Sequence, residues 1–522
     1  MSFADRDRNR DRSWWFLPSL IAFGYLLLHL LTASRYGYFR DALYYLACSR
    51  HLAWGYVDHP PLIVFFTWIL SHTLGTSLPA LVLLTALAGA ARIVLTGAFA
   101  RELGAGRFGV TLAAGLAAIP GVWWVQDHQL AMNAFEPLFW TGCAFVLLLM
   151  IKTDNPRLWL PFGVIAGLGL ENKYSIAVFA AALLAGLLLT PRRRLLFTPW
   201  LLAGGVTALI LFLPNLLWNI QHDWPFLELM RNIRASGRDV VLSPVAFLAE
   251  QVLIMNPATL PIWLGGLCFL LFFRDARPFR CLGPAFLITV GAFLLAHGKN
   301  YYVAAVYPIV LAAGAVATER WIGAPRFQDR PRLRATLKAV LAAWLLTGFL
   351  LLLPVVLPVL PVDSYLRYQA RLPFPIPHSE HSFEGAALPQ HYADEFGWPE
   401  MAAAAAKVYG SLSPEERQKT AILTSNFGEA AAIDFFGPRY GLPGSICPHQ
   451  SYFLWGPRNA TGEIVIRIGS PIEDVRAAYE NVAVAARLDN PYALDFETRP
   501  ILLCRGRKGN LQTDWPKLKR WD

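Results

Sequence analysis

Charge is scarce in this chain. Of 522 residues only 16% are Asp, Glu, Lys or Arg, where roughly 25% is usual for soluble domains. That shortage excludes a disordered chain, a nucleic-acid-binding arm and a single soluble domain. Cysteine is scarce too, and six residues do not make a disulfide scaffold. Cys48, Cys143, Cys268 and Cys281 fall in or beside apolar segments and read as small core residues. Cys447 and Cys504 lie in the C-terminal part, where a disulfide forms only if that part faces an oxidising compartment. The sequence also lacks CxxC, HExxH, Walker and helix-opening GxGxxG motifs. This argues against a structural zinc site, a zincin and a nucleotide-driven enzyme. There is no internal repeat, and the one low-complexity tract, Ala402–Ala406, is simply a good helix former.

What is abundant is apolar. Hydrophobic residues make up 55% and aromatics 13%, and mean hydropathy is +0.40. Runs of roughly bilayer-spanning length recur at 14–33, 61–76, 79–100, 108–124, 136–151, 158–171, 174–190, 196–218, 252–273, 281–297, 302–318 and 335–360. The first lacks a convincing cleavage site and is flanked by Trp14 and Trp15, so it is a span rather than a secretory signal. The net charge of +10 is uneven. Residues 363–522 hold 17 basic and 19 acidic residues, against 29 and 17 in residues 1–362. A basic excess confined to the apolar part fits positive cytoplasmic loops.

Four basic stretches set the expected orientation. They are Arg6, Arg8, Arg10 and Arg12, the Arg192–Arg194 run, the Arg274–Arg280 turn and the Arg320–Lys338 loop. Placing them inside puts loops 34–60, 125–136, 171–173, 219–251 and 297–301 outside, with everything after Pro361. An even number of spans must then separate the first two outer loops, where three apolar runs lie. Either run 61–76 or run 108–124 is a half-helix, or a short span hides near Ala105–Trp124. The expectation is a polytopic α-helical membrane protein of about 11–13 spans in the inner (plasma) membrane. A transmembrane domain would cover 1–361 and a soluble extracytoplasmic α/β domain 362–522, after a Pro-rich linker over 354–377. In that tail, Ser413-Pro414-Glu415-Glu416 is a capping box that opens a helix. Strands are expected over 419–425, 463–469, 482–487 and 500–504, and helices over 428–436 and 471–479.

Ionisable residues at a membrane edge are costly and therefore candidates for function. They gather in the outer loops: Arg40-Asp41-Ala42, Asp58-His59-Pro60-Pro61-Leu62, Gln126-Asp127-His128, Glu136-Pro137-Leu138, Glu171-Asn172-Lys173, His222-Asp223 and Gly298-Lys299-Asn300-Tyr301-Tyr302. Each has a plainer reading. Asp41 suits a helix cap or a partner for Arg40 or Arg50. Asp58–Pro61 suits a turn into a span, His222 an interfacial position, and Lys299 snorkelling. Together they collect carboxylates, a histidine and lysines on one face of a membrane. A lipid-phosphate donor needs the cations. A carboxylate serves as general base or holds a metal.

The order and spacing of these motifs over about 300 residues resembles the GT-C superfamily of polyprenyl-phosphate-sugar-dependent glycosyltransferases. Within it they resemble glycosyltransferase family 39 and the lipid A aminoarabinose transferases. The carrying residues are Arg40-Asp41-Ala42, Asp58–Leu62, Glu136-Pro137-Leu138, the Gly167–Lys173 pattern and the Gly298–Pro308 pattern. Ala42 stands where the family often has a second acid, and His59 where the aminoarabinose enzymes carry lysine. The resemblance implies an integral membrane enzyme that moves a sugar, with inversion, from a polyprenyl-phosphate carrier to a lipid, glycan or protein acceptor outside the cytoplasm. It implies Asp41, Asp58 and Glu136 as catalytic residues and His59, Lys173, Lys299 and Tyr302 at the donor phosphate. No cofactor is certain, and a divalent metal at Asp58 and His222 is an open alternative. Membrane lipids are expected partners and nucleic acid is not. In the tail, Asn426, Glu429 and Trp455 are candidates for acceptor contact or for packing. The competing reading is a polytopic transporter or lipid-carrier flippase. Against it stand acids gathered at one face, no repeat, and a 160-residue tail with no evident transport role.

Overall fold

The computed structural model describes residues 13–376, 378–488, 490–494 and 499–522. The basic stretch Arg6–Arg12 and the last residue of the linker, Pro377, lie outside the described residues. The chain divides into two compact units. One holds the chain up to Ala33, Val82–Leu213 and Val241–Pro361; the other holds Ser34–Leu81, Pro214–Val240 and Val362–Asp522. The second unit is thus larger than the expected tail: two segments read as parts of the membrane domain belong to it.

The first unit is helical. Among the described residues, five helices are long and apolar enough to cross a membrane: Leu78–Glu102, Met132–Thr153, Pro199–Gln221, Asn300–Ile322 and Pro331–Val356. Two bent pairs raise the number to seven, and there are four shorter apolar helices besides: Phe16–Thr32, Leu62–Thr73, Ile176–Leu188 and Leu282–Leu295. Backbone chemistry sets where the apolar runs bend or stop. Run 108–124 breaks at Pro120, which has no N–H to donate, and bends by 62° between Arg107–Ala118 and Gly121–His128. Run 252–273 breaks at Asn256-Pro257 and bends by 92°. Run 61–76 forms only the 12-residue helix Leu62–Thr73, which lies in the second unit. Its length of about 18 Å falls short of a ~30 Å hydrocarbon core. Both segments that disturbed the expected alternation are therefore short or broken. Prolines also set helix starts, as at Pro331 and at Pro244, where Ser243 caps the Ala246 N–H.

Packing in this unit relies on close backbone approach. Gly266 on helix Leu260–Phe272 faces Gly314 on helix Tyr307–Ile322. A Cβ on Gly266 would collide with the Val310 carbonyl, and one on Gly314 with the Ile262 carbonyl. Cys48, Cys143 and Cys281 are buried as expected, but Cys268 is exposed. Cys268 shares an exposed helix face with Leu264 and Phe272, so it lies outside the core.

The second unit contains a five-stranded mixed sheet, order β2-β1-β3-β5-β4. Its strands are β1 Thr420–Leu423, β2 Ser445–Ile446, β3 Ile464–Arg467, β4 Tyr479–Ala486 and β5 Ile501–Arg507. β1 pairs in parallel with β2 and β3, while β5 is antiparallel to β3 and β4. All four β1 residues are buried, as a central parallel strand covered on both faces requires. The Ser413–Glu416 capping box is formed. The expected helix over 471–479 is only Ile472–Arg476, because Tyr479 already opens β4. β2, two residues long, carries too little pattern to be read from sequence. Cys447 and Cys504 are both buried and free.

One expected outer polar group proves to be scaffold. Asp127 is fully buried. Its carboxylate accepts from Arg92 at 2.9 Å and from the Tyr25 hydroxyl at 2.7 Å, while Arg92 lies 4.2 Å over the Trp123 ring. Asp127→Ala strands a buried guanidinium and is expected to cost about 3–5 kcal/mol, whereas replacing Arg92 and Asp127 together by Met and Leu recovers most of that loss. Thermal unfolding of the purified variants in detergent checks this; equal losses in the single and double variants would refute it.

Candidate active site

The second unit gathers three of the expected residues. Helix Arg40–Cys48 opens with Asp41 in its first turn, where a carboxylate meets the positive helix end. The helix packs on helix Phe427–Phe436, and the approach is so close that a Cβ on Gly428 would lie 2.6 Å from Arg40 Cγ. Arg40 Nε lies 3.7 Å from Asp41, and its Nη1 3.5 Å from Asp394. Asp41 remains 33% exposed. Burial nevertheless pushes its carboxyl above the usual range; Arg40 opposes this, Asp58 and Glu380 add to it, and His59 opposes it. Ala42, in the family's second acidic position, is buried, so this turn presents one acid.

Asp58 accepts a 3.0 Å hydrogen bond from the Tyr44 hydroxyl. His59 is buried against Tyr56 and Tyr45, and its Nδ1 pairs with the Pro60 carbonyl at 2.9 Å. Nδ1 therefore carries the proton, and Nε2, with no hydrogen-bond partner, lies 3.9 Å from Asp58. The Tyr44 oxygen in turn accepts from the Ser451 N–H, and the Ser451 hydroxyl accepts from the Val57 N–H. Tyr44, Ser451 and Glu380 were not marked as site residues in the sequence. Ser451 lies 407 residues from Tyr44, and no local pattern signals such a contact.

The first unit gathers a different set. Glu136 opens helix Glu136–Thr153. It accepts from Lys173 Nζ at 2.9 Å and from the Ser175 hydroxyl. Lys173 also donates to Asn133 at 2.7 Å, and its ammonium lies 3.8 Å from the Tyr302 ring centroid. Lys299 is half-buried just before the turn Asn300–Val306, where Asn300 donates to Glu250. Glu250 is a further acid that the sequence reading missed.

His222 stands apart from these sets. Its ring stacks on Trp218, and Nδ1 pairs with the Trp218 carbonyl at 2.8 Å, the interfacial arrangement. Among the described residues no group of three or more His, Cys, Asp or Glu side chains could hold a metal ion. The donor set does not fit a protein-held metal. Asn426 and Glu429 form a reciprocal capping box at the start of helix Phe427–Phe436, with Glu429 fully buried. They hold the fold. Trp455 packs on Tyr452 and His51.

The family of dolichyl-phosphate-mannose-protein mannosyltransferases matches residues 58–218. The crystal structure of ArnT from Cupriavidus metallidurans in the apo state superposes with a TM-score of 0.61 at 15% identity, covering 94% of this chain and 98% of that one. The same protein bound to undecaprenyl phosphate gives 0.58 at 13% identity, covering 95% and 100%. Archaeal oligosaccharyltransferase AglB from Archaeoglobus fulgidus, in complex with an inhibitory peptide and a dolichol-phosphate, gives 0.54 at 12% identity, covering 90% and 70%. The fold is that of the GT-C glycosyltransferases. The resemblance read from the sequence therefore holds. The lipopolysaccharide core galacturonosyltransferase RgtB of Rhizobium johnstonii is 25% identical over 323 residues, 60% of this chain and 63% of that protein, so the match spans a little under two thirds of the relative. The family-matched segment contains Asp58, His59, Glu136 and Lys173.

The Asp41 environment has a consequence for stability. A carboxyl raised by folding binds its proton more tightly folded than unfolded, so its contribution favours the fold at low pH. That contribution is lost as pH rises from the ordinary carboxylate value of about 4 through the raised folded value. Asp41→Asn should therefore fold at least as well as the parent at neutral pH and flatten the dependence of thermal stability on pH above about 4. A melting series over pH checks this; a marked loss of stability at neutral pH would assign Asp41 to the scaffold instead.

Proposed function

We propose that the protein is an integral membrane glycosyltransferase that moves a sugar, with inversion, from a polyprenyl-phosphate carrier to a lipid, glycan or protein acceptor outside the cytoplasm. The observation that carries it is the Asp41–Asp58–His59 cluster on a GT-C fold: a part-exposed carboxylate beside a second acid and an imidazole whose Nε2 has no hydrogen-bond partner. Support comes from the polyprenyl-phosphate ligand of the fold neighbour ArnT and from the sugar-transferring relative RgtB.

The chemistry is a single displacement. The acceptor oxygen attacks the anomeric carbon, the bond from that carbon to the phosphate oxygen breaks, and the electron pair leaves with the polyprenyl phosphate. Asp41 takes the proton of an acceptor hydroxyl. Its raised carboxyl brings the base closer to working pH. Asp58 accepts from Tyr44 and lies 3.9 Å from His59 Nε2, the imidazole nitrogen offered to the donor phosphate. The sequence resemblance assigns Lys173, Lys299 and Tyr302 to donor-phosphate binding, and Tyr302 backs the Lys173 ammonium. Glu136, bonded to Lys173, positions that lysine and sets its orientation before the donor arrives. The membrane is the inner (plasma) membrane, 1–361 is the glycosyl-transfer domain, and the tail after Pro361 faces outside.

Two measurements test this reading. Asp41→Asn keeps the shape but removes the base, so transfer from a labelled polyprenyl-phosphate sugar should fall by roughly 100- to 10,000-fold with protein level and donor binding kept. Near-normal turnover in folded Asp41→Asn would shift the assignment to Asp58. A reporter fused after Pro361 should be active outside, and one fused within Arg320–Lys338 inside. The opposite pattern would move the Asp41 cluster to the wrong compartment.

A further inference from the structure

The membrane unit holds a groove that none of these roles uses. It is lined by helices Phe16–Thr32, Arg107–Ala118, Gly121–His128 and Pro331–Val356 and has a volume of about 420 Å³, within the roughly 300–1,000 Å³ range of ligand pockets. Its walls are apolar, with Ile21, Leu112, Leu345 and Phe349 among them. Gly24 and Gly115 give it depth: a Cβ on either would meet nothing within 4 Å. One charged side chain lines it, Lys338, whose ammonium lies 4.5 Å from the Phe108 ring centroid.

The chemistry at the rim is specific. Arg334 sits four residues before Lys338, on the same helix face as Leu341, Leu345 and Phe349. Its Nε is buried without a hydrogen-bond partner. Among the described residues, neither Arg334 nor Lys338 has a carboxylate partner. Two like charges at this spacing repel, so the pair is complete only with an anion. The surrounding segment 320–338 adds four more arginines and a single acid, Asp329. Such basic clusters at the end of a spanning helix are sites for anionic headgroups. From Lys338 to Phe349 the groove follows eleven residues of helix, about 16 Å. That is half of a ~30 Å hydrocarbon core, the depth of one leaflet, and matches an acyl chain rather than a polyprenyl chain.

We propose that this groove binds an anionic phospholipid of the bilayer, with one acyl chain along the Gly24–Gly115 wall and the phosphate held by Arg334 and Lys338. The site is independent of the glycosyl-transfer reading, because no residue of the Asp41 or Glu136 clusters lines it. Purified protein in nanodiscs of equal parts phosphatidylglycerol and phosphatidylcholine, released into detergent and weighed by native mass spectrometry, provides the test. Phosphatidylglycerol should stay bound in preference. The double variant Arg334→Gln/Lys338→Gln should lose that preference by roughly 30-fold, two juxtamembrane charges' worth. Gly115→Leu, whose side chain has room in the groove and suits a helix, should lower retention of either lipid while the melting temperature holds. Equal retention of the two lipids by the parent protein overturns the proposal, as does unchanged retention in Gly115→Leu. Displacement of phosphatidylglycerol by added undecaprenyl phosphate at equal concentration also overturns it.

Discussion

The hydrogen bonds of Ser451 hold the loop that carries Asp58. Segment 34–81 is too short to bury a core of its own, so its polar backbone must be satisfied from elsewhere. Ser451 supplies a donor to Tyr44 and an acceptor to Val57, and Tyr44 passes the constraint to the Asp58 carboxylate. A second tie fixes the other acid: the Arg40 N–H donates to the Asp394 carbonyl, and the guanidinium lies over Phe427. The part of the chain after Pro361 is thus the frame on which Asp41 and Asp58 are mounted. Removing it would free the loop and lose the geometry of both acids, even with every loop residue intact.

This explains which features were legible in the sequence. Asp41, Asp58 and His59 stood out because charge amid aromatics at a membrane edge is costly, and Glu136 and Lys173 for the same reason. Their chemistry is written locally. Their partners are not. Ser451 and Glu380 are far away in sequence, and a serine or a glutamate in a soluble stretch carries no burden that marks it. The fold class followed from the apolar runs, whose lengths are local. The bends inside two of those runs were not legible, because a hydropathy run continues through Pro120 and Asn256-Pro257 while the helix does not. In the tail, the strands of β1, β3 and β5 were readable from short apolar runs. Helix 471–479 was overestimated because Tyr479 is taken by pairing with Arg507 on β5. Such tertiary pairing overrides local preference.

Charge pairing separates scaffold from chemistry in this molecule. Arg92 and Asp127 are both fully buried and hydrogen-bonded to each other, so neither presents a surface to a ligand. Glu136 and Lys173 are bound to each other and to Asn133 and Ser175, which makes the lysine a fixed positive point rather than a mobile one. Asp41 differs. Arg40 is shared between Asp41 and Asp394 at 3.7 and 3.5 Å, beyond the distance of a close hydrogen bond, so the carboxylate is attracted but not saturated.

An acid left in that state has a cost, and on the proposed reading that cost marks the reacting carboxylate. Burial and the neighbouring carboxylates of Asp58 and Glu380 both disfavour its charged form, and a fold under no other demand would replace it with an amide or pair it fully. What keeps the arrangement in place is external to Asp41: the capping box at Asn426 and Glu429 starts the helix that Arg40–Cys48 packs on, and the Ser451 strap fixes the loop behind it. The stability spent at one carboxylate is offset by satisfied polar groups around it. A proton acceptor that is part-exposed, raised and held by neighbours it does not itself neutralise is ready to take a proton from a hydroxyl. A solvated surface aspartate would have too low a proton affinity for that step, and a buried paired one could not be reached.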